Sequence, residues 1–297
     1  MDTKLKQLLT AFQLDVENVR AEQIKREEDD TYYEVWRVYK DNEAFILKEC
    51  KEFESDIYNT ILKEGEYCVP EYFGTTVYEG KDFILLENLE GENLNNCTRE
   101  KLISFLDSLI YLQYKYWNNM SFNHVCYNVE NSLIDRKNRG TFIKDEKIEK
   151  YYNKYLDLYS KIPCTLCNDD MLPFNVLYNK EKNLAYIIDW EESGILPYLN
   201  SFARFISHSE DIAGAFFYMK DEDKAFAIDY YYDNLIKAKG ITYQDFRMHL
   251  NLFMLYEFCE WIMLGNKYED ADKVRFNKYK KKAHELINEI NLCALTK

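Results

Sequence analysis

The sequence is poor in the residues that interrupt regular structure. Its 297 residues include only four prolines and nine glycines, and this scarcity argues against long loop-rich regions. No apolar run approaches the 18 residues of a membrane-spanning helix, and no apolar signal region follows Met1. We found no internal repeat and no low-complexity tract. We therefore expect a cytoplasmic protein that does not act on a membrane.

Positive charge is also scarce. The chain has 38 Lys and Arg residues against 52 Asp and Glu residues, for a formal net charge of −14. This balance argues against nucleic acid or an anionic membrane as the main partner. It is compatible with a cationic small molecule, although acidity also serves solubility alone.

The sequence gives little support for a metal or redox site built from cysteines. The eight cysteines fit a reducing compartment as free thiols. Cys164 and Cys167 form a C-x-x-C pair, but no second pair lies at metal-ligand spacing. We expect them in a buried strand rather than in a zinc or redox site.

The pattern of apolar residues predicts strands first and helices afterwards. Hydrophobic residues make up 47% of the chain and charged residues 30%, as in a globular protein with one two-lobed unit or two modest domains. The pattern predicts a helix at 5–12, strands at 19–24, 32–39 and 43–49, a helix at 51–64, a hairpin at 72–77 and 83–86, and helices at 102–117, 148–158 and 246–264.

Three polar residues form the most informative motif. Asn175 follows Asp170 by five residues, and Asp189 follows Asn175 by fourteen. The intervening segment reads as a hairpin, 176–178 and 184–188, which would return Asp189 to the loop that begins it, while Pro173 stiffens that loop. Kinase-type transfer needs one carboxylate to accept a proton, and an amide and a second carboxylate to hold Mg²⁺. The spacing of Asp170 and Asn175 alone arises by chance, so the conjunction carries the prediction.

A lysine and a glutamate upstream complete a candidate catalytic set. Lys48 ends an apolar strand, from which it could reach nucleotide phosphates. Glu54 lies on one face of the following helix with Tyr58 and Ile61, and we predict that it pairs with Lys48; Glu52 is the runner-up. The alternative is a strand-edge lysine beside a solvated helix face.

The polar segment 87–91 is the predicted connector between two lobes. We place an N-terminal lobe at 1–87 and a C-terminal lobe at 88–297. The backbone of the connector, at Glu87 and Leu89, could supply the donor and acceptor that recognise a nucleotide base.

A late helix carries the candidate acceptor site. Thr242 is its predicted N-cap. Tyr256, Glu257, Glu260 and Trp261 share one side of it and could bind an ammonium group through aromatic faces and carboxylates. Alternatively, Trp261 packs in the core and both glutamates face solvent.

These residues together resemble the aminoglycoside phosphotransferase and choline kinase superfamily. Residues 166–175, LCNDDMLPFN, look like its L-C-H-N-D-L-x-P-x-N loop; 188–194, IDWEESG, resemble its I-D-W-E-x-x-G metal segment; and 85–91, LLENLEG, are similar to its hinge. The resemblance implies a bilobal protein-kinase-like α+β fold, with a small antiparallel sheet and a larger helical lobe. It also implies ATP or GTP with Mg²⁺ and transfer to a hydroxyl of a small molecule, for which we expect a cationic or amine-bearing acceptor.

Three departures from that pattern keep a second hypothesis open. Asn168 replaces the usual His, which mainly braces the loop, and Asn200 stands where an Asp is frequent. The turn expected over the phosphates, 27–31, is acidic and has no glycine, so backbone amides approach phosphate less easily. The alternative is therefore a kinase-fold binding or regulatory protein with weak or no transfer. We favour the enzyme because Lys48, Asp170, Asn175 and Asp189 are all present.

Overall fold

A five-stranded antiparallel sheet forms the first part of the protein. The computed structural model describes residues 3–26, 30–51, 53–124, 126–269 and 271–295. The sheet has the order β1-β2-β3-β5-β4 and follows the predicted opening helix α1 (Thr3–Ala11). Its strands are β1 (Val19–Lys25), β2 (Tyr32–Lys40), β3 (Glu43–Glu49), β4 (Tyr72–Tyr78) and β5 (Lys81–Glu87).

The helix after β3 is shorter than predicted. α2 comprises Glu54–Asp56 and continues as one π-helical turn over Ile57–Ile61, whereas the apolar pattern indicated 51–64. The backbone N–H of Cys50 donates to the carbonyl of Asp82 at 2.8 Å. This bond keeps the chain on the sheet just before the helix, so the helix begins later.

The second part is mainly helical. The three predicted helices correspond to α3 (Arg99–Lys115), α5 (Glu146–Tyr159) and α8 (Tyr243–Lys267). Thr242 caps α8 as predicted, because its side chain accepts a hydrogen bond from the N–H of Asp245. The remaining helices are α4 (Val129–Gly140), α6 (Leu199–Ser207), α7 (Asp221–Tyr231) and α9 (Lys273–Leu295).

Two small sheets lie among the helices. One contains the predicted hairpin, β9 (Val176–Asn179) and β10 (Leu184–Ile187), beside β6 (Glu92–Asn93). The other has the order β7-β11-β8, with β7 (Tyr127–Asn128), β8 (Cys164–Asn168) and β11 (Ser193–Pro197). β11 was not predicted. It is pressed so closely against β7 that a Cβ atom on Gly194 would lie 1.7 Å from the carbonyl oxygen of Tyr127.

The hydrophobic core continues across the predicted boundary at 87/88. One cluster packs α1 against the outer face of the sheet, around Trp36 and Leu47. A larger cluster contains Ile84 and Leu86 of the sheet together with Phe105 of α3 and the helices that follow. The boundary itself stays a prediction. Where the chain is described, no helix is long and apolar enough to cross a membrane.

The C-x-x-C pair lies in β8, the buried strand that leads into the loop carrying Asp170 and Asn175, as predicted. Cys164 and Cys167 are free thiols, as are Cys50, Cys68, Cys97, Cys126 and Cys259. Burial raises the pKa of Cys167 to about 12, so this thiol is inert at neutral pH.

Candidate functional site

The buried side-chain amide of Asn168 forms hydrogen bonds to both the loop 168–175 and the metal segment 188–194. Its Nδ2 donates to the backbone oxygen of Asp189 at 2.8 Å, and its Oδ1 accepts from the backbone N–H of Asp170 at 2.9 Å. Ser201 of α6 accepts from the N–H of Asn168 at 2.9 Å and fixes the strand end. Asn168 therefore braces the loop with its own side chain, as we expected for this position.

The carboxylate of Asp170 stands at the end of this loop and is one-third exposed. Its Oδ1 accepts from Nη2 of Arg204 at 2.9 Å. Asn175, which is buried, donates from Nδ2 to the backbone oxygen of Asp170 at 2.8 Å. A single 3₁₀ turn over Pro173–Asn175 brings the two residues together. The predicted convergence of Asp170 and Asn175 is present.

Asp189 follows β10 in a left-handed backbone conformation, with φ of 57°. Such a conformation is uncommon for a residue other than glycine. The N–H of Ile188 donates to the carbonyl of Asn175 at 3.0 Å, so the hairpin returns Asp189 to the loop as predicted. The Oδ1 of Asp189 accepts a hydrogen bond from Nζ of Lys48 at 2.6 Å.

Lys48 connects the five-stranded sheet to the hairpin. Besides Asp189, its ammonium contacts the fully buried Glu54, with Nζ–O distances of 2.9 and 3.0 Å. Burial opposes the charge of Lys48, but attraction to the two carboxylates outweighs it and raises the pKa of the lysine. Burial raises the pKa of Glu54 to about 7, against the opposing attraction of Lys48. The predicted Lys48–Glu54 pair is thus formed, while the runner-up Glu52 lies outside the described residues.

Hard oxygen atoms cluster beside Lys48. One carboxylate oxygen from each of Glu54, Asp189 and Glu191 lies within 4.8 Å of the others. Carboxylate and amide oxygens are the ligands that Mg²⁺ prefers, so Asp189 and the nearby Asn175 offer donors that fit this ion.

The structure describes the whole connector but only part of the acidic turn. Glu87 ends β5 and pairs with Phe45 of β3, and the backbone N–H of Asn88 donates to the carbonyl oxygen of Ala44 at 3.2 Å. No described backbone carbonyl accepts from the N–H of Leu89, which suits a base-recognising donor. Residues 27–29 of the turn lie outside the described residues, and the carboxylate of Asp30 pairs with Lys25 at 2.6 Å.

Asp169 forms an ion pair that sequence reasoning missed. Both of its carboxylate oxygens accept from Nη2 of the buried Arg136 at 2.8 Å. Burial opposes its charge, but the guanidinium overcomes this and lowers the pKa of Asp169. Asn200 also donates to it. Arg136 belongs to α4, whose polar sequence gave no sign of a buried face.

The predicted acceptor-binding carboxylates are already paired. Glu257 accepts from Nη1 of Arg204 at 2.8 Å, and Glu260 accepts from the same nitrogen and from Arg139, the latter at 3.1 Å. Tyr256 is buried and stacks on Tyr155, with ring centroids 4.9 Å apart.

Trp261 is covered as well. Its ring stacks on Tyr279 at 5.9 Å, and the guanidinium of Arg275 lies 4.6 Å from its centroid. Glu260 and Trp261 line the cavity described below, but the four residues do not form a free ammonium site in this structure, and the cationic acceptor stays a prediction. The alternative prediction, that both glutamates face solvent, does not describe Glu257 and Glu260 either, because both pair with arginines inside the protein.

Arg204 is the central residue that the sequence analysis missed. It contacts Asp170, Glu257 and Glu260 from α6. The available signal was a lone charge within the otherwise apolar segment 202–206, FARFI, soon after the metal segment. A charged residue on a buried helix requires partners.

A cavity of about 720 Å³ adjoins this site. Leu172 and Pro173 of the loop 168–175 line it together with Arg204, and residues of α4, α8 and α9 also contribute to its walls. A volume of this order suits a small-molecule ligand.

Comparison with known proteins finds similarity in structure only. No family model matches the chain, and no curated protein matches its sequence. An aminoglycoside phosphotransferase from Alicyclobacillus acidocaldarius superposes with a TM-score of 0.61 at 10% identity, covering 94% of this chain and 93% of that one. An ethanolamine kinase from Plasmodium vivax gives 0.58 at 11% identity, with 90% and 82% covered. A putative fructosamine-3-kinase from Haemophilus somnus gives 0.54 at 12% identity, with 96% and 95% covered.

These similarities confirm the predicted bilobal, protein-kinase-like α+β fold. They confirm the resemblance to the aminoglycoside phosphotransferase and choline kinase superfamily at the level of the fold. The roles of individual residues rest on the site geometry above.

Proposed function

We propose that this chain is a small-molecule kinase that transfers the γ-phosphoryl group of ATP or GTP to a hydroxyl group of its acceptor. The observation that carries the proposal is the shared support of Asp170 and Asp189 by the amide of Asn168. Lys48 contacts Asp189 from the sheet, and Arg204 connects Asp170 to the wall of the cavity.

Asp170 is the proposed proton acceptor. During transfer, the acceptor oxygen forms a bond to the γ-phosphorus, and the bond from that phosphorus to the β–γ bridging oxygen breaks. The hydroxyl proton passes to the carboxylate of Asp170, and the nucleoside diphosphate leaves. Arg204, bound to Oδ1 of Asp170 at 2.9 Å, is a positioning residue that fixes the carboxylate toward the cavity.

The remaining residues bind and orient the nucleotide. Lys48, positioned by Glu54, contacts phosphate oxygens, and the backbone at Glu87 and Leu89 recognises the base. Asn175 and Asp189 would hold Mg²⁺, which when bound neutralises charge on the nucleotide phosphates. A cytoplasmic location and the absence of a nucleic-acid partner stay predictions.

The alternative is a kinase-fold binding or regulatory protein, which the glycine-free turn at 27–31 favours. Thermal unfolding with ATP or GTP, each with Mg²⁺, tests nucleotide binding, because a ligand of the native state raises the midpoint. Measuring nucleotide consumption with a panel of hydroxylated metabolites and antibiotics tests transfer. We expect both a raised midpoint and turnover. Stabilisation without turnover would indicate the alternative, and no stabilisation by either nucleotide would contradict the proposed function.

A further inference from the structure

The charges that line the cavity are unusual for so acidic a protein. Five basic side chains and two carboxylates line it, although the whole chain has a net charge of −14. Among the side chains that line the cavity, basic groups therefore outnumber carboxylates, although Asp170 and Glu257 also contact Arg204 from behind the wall. The basic side chains are Arg139, Arg204, Lys267, Arg275 and Lys278.

The carboxylates at the cavity already have cationic partners. Glu210 pairs with Lys278, and Glu260 pairs with Arg139 at 3.1 Å as well as with Arg204. Glu257, behind the wall, pairs with Arg204 at 2.8 Å. Among the described residues that line this cavity, no carboxylate remains to bind an ammonium group.

Two of the cations that line the cavity have weaker partners. Lys267 forms no ion pair with any described residue, and its ammonium lies 5.4 Å from the ring centroid of Phe142 and 5.0 Å from that of Tyr268. Arg275 has a solvent-exposed contact of 3.5 Å with Asp272, and such surface pairs contribute little free energy. Since the guanidinium of Arg275 lies over the ring of Trp261, this tryptophan face, the one predicted to attract an ammonium group, is also occupied.

The cavity wall extends away from the transfer site along α8. Leu172 and Arg204 line the cavity beside Asp170, where the proposed transfer takes place. Lys267 lies seven residues beyond Glu260 on α8, which is about 10 Å further along the helix axis. Arg275 lies over the ring of Trp261, and Phe142 and Leu264 supply apolar wall. Charge-assisted hydrogen bonds from lysine and arginine are strong with carboxylate and phosphate oxygens.

We propose that the acceptor is a hydroxyl compound that also bears an anionic group, a carboxylate or a phosphate ester, bound by Lys267 and Arg275. This inference rests on the proposed kinase function and specifies its substrate class. The hydroxyl group lies toward Asp170 and the anion toward α8 and α9.

Substrate preference tests the inference with matched compounds. Nucleotide consumption is measured for glycerate against glycerol, gluconate against glucose, pantothenate against panthenol, and ribose 5-phosphate against ribose, with choline and ethanolamine as cations. We expect kcat/KM for anionic members to exceed that of their neutral partners at least about tenfold, as one charge-assisted contact would give. The carboxylate and phosphate arms identify which anion is preferred. A preference for choline, ethanolamine or the neutral members would overturn the inference.

Anion binding is measured separately so that the outcome does not depend on finding the acceptor. Calorimetry with inorganic phosphate and with tetramethylammonium compares the wild type with the double variant Lys267→Gln/Arg275→Gln. The control is Arg20→Gln/Lys237→Gln, which removes one exposed arginine and one exposed lysine away from the cavity.

We expect millimolar binding of phosphate that weakens about tenfold in the cavity variant and is unchanged in the control. Equal affinity in all three proteins, no binding of phosphate, or binding of tetramethylammonium alone would each contradict the inference. Phosphate binding at the cavity in a protein that neither binds nor consumes nucleotide would instead refute the proposed function and leave the anion site intact.

Discussion

Replacing Arg204 with methionine should destabilise the protein by about 3–5 kcal/mol, the cost of leaving a buried ion pair without one partner. The three carboxylates that contact Arg204 do not share this cost equally. The side chain of Asp170 is 33% exposed and water solvates it, while Glu260 keeps Arg139 at 3.1 Å. Glu257 is 5% exposed, and His208, at 3.3 Å, is the one ion-pair partner it keeps among the described residues. Most of the loss should therefore arise from Glu257.

Urea denaturation followed by circular dichroism measures this loss as a change in the free energy of unfolding. The matched control is Arg20→Met, because the side chain of Arg20 is 68% exposed and its contact with Glu22 lies at the surface. The control should lose no more than about 1 kcal/mol.

A second variant tests the cause. Arg204→Met/Glu257→Gln removes the unpaired charge and should recover at least half of the loss, which a double-mutant cycle reports as coupling between the two residues. The reasoning fails if Arg204→Met unfolds within about 1 kcal/mol of the wild type, or if the second substitution restores nothing.

Three further predictions concern the proposed catalytic residues. Asp170→Asn should lower turnover at least about a hundredfold, the lower end for loss of a general base, and should retain the nucleotide-induced thermal shift. The neighbouring variant Asp169→Asn should lower turnover less. Wild-type turnover in Asp170→Asn would show that Asp170 is not the proton acceptor. Asp189→Ala should abolish the Mg²⁺-dependent part of that thermal shift; it should also lower the unliganded midpoint, because Lys48 loses a partner and φ of 57° is uncommon for alanine, so each shift is measured from the variant's own unliganded midpoint. An equal Mg²⁺ response in both proteins would contradict a metal role. Lys48→Ala should lower turnover, and Glu54→Ala should give a similar but milder defect; full activity in Lys48→Ala would exclude it from phosphate positioning.

The contacts that could be predicted from the sequence are those between residues that lie close together along the chain. Asp170, Asn175 and Asp189 lie within twenty residues, and one hairpin with a polar turn is sufficient to bring them together. Lys48 and Glu54 are six residues apart, on the strand and helix that the apolar pattern had already indicated. In both cases local periodicity determines which side chains meet.

The contacts of Arg204 beside the cavity could not be predicted in this way. Arg204 meets Glu257 and Glu260 across more than fifty residues, and helical periodicity indicates which face a side chain is on but not what lies opposite. The same limit applies to α4, where the segment 129–140, VENSLIDRKNRG, is mostly polar. Its buried Arg136 is stabilised by Asp169 and by tyrosines from distant helices.

The close approach of β7 to Gly194 affects how the metal-segment pattern should be interpreted in other sequences. Asp189 and Gly194 both belong to that pattern, but they are constrained differently: the aspartate by charge, and the glycine by the lack of space beside the carbonyl of Tyr127. A descendant that abandoned phosphoryl transfer would be free to lose the aspartate, yet it would still need the glycine to fold. Retention of the glycine would therefore reflect the fold alone, whereas retention of the aspartate would reflect the proposed metal role.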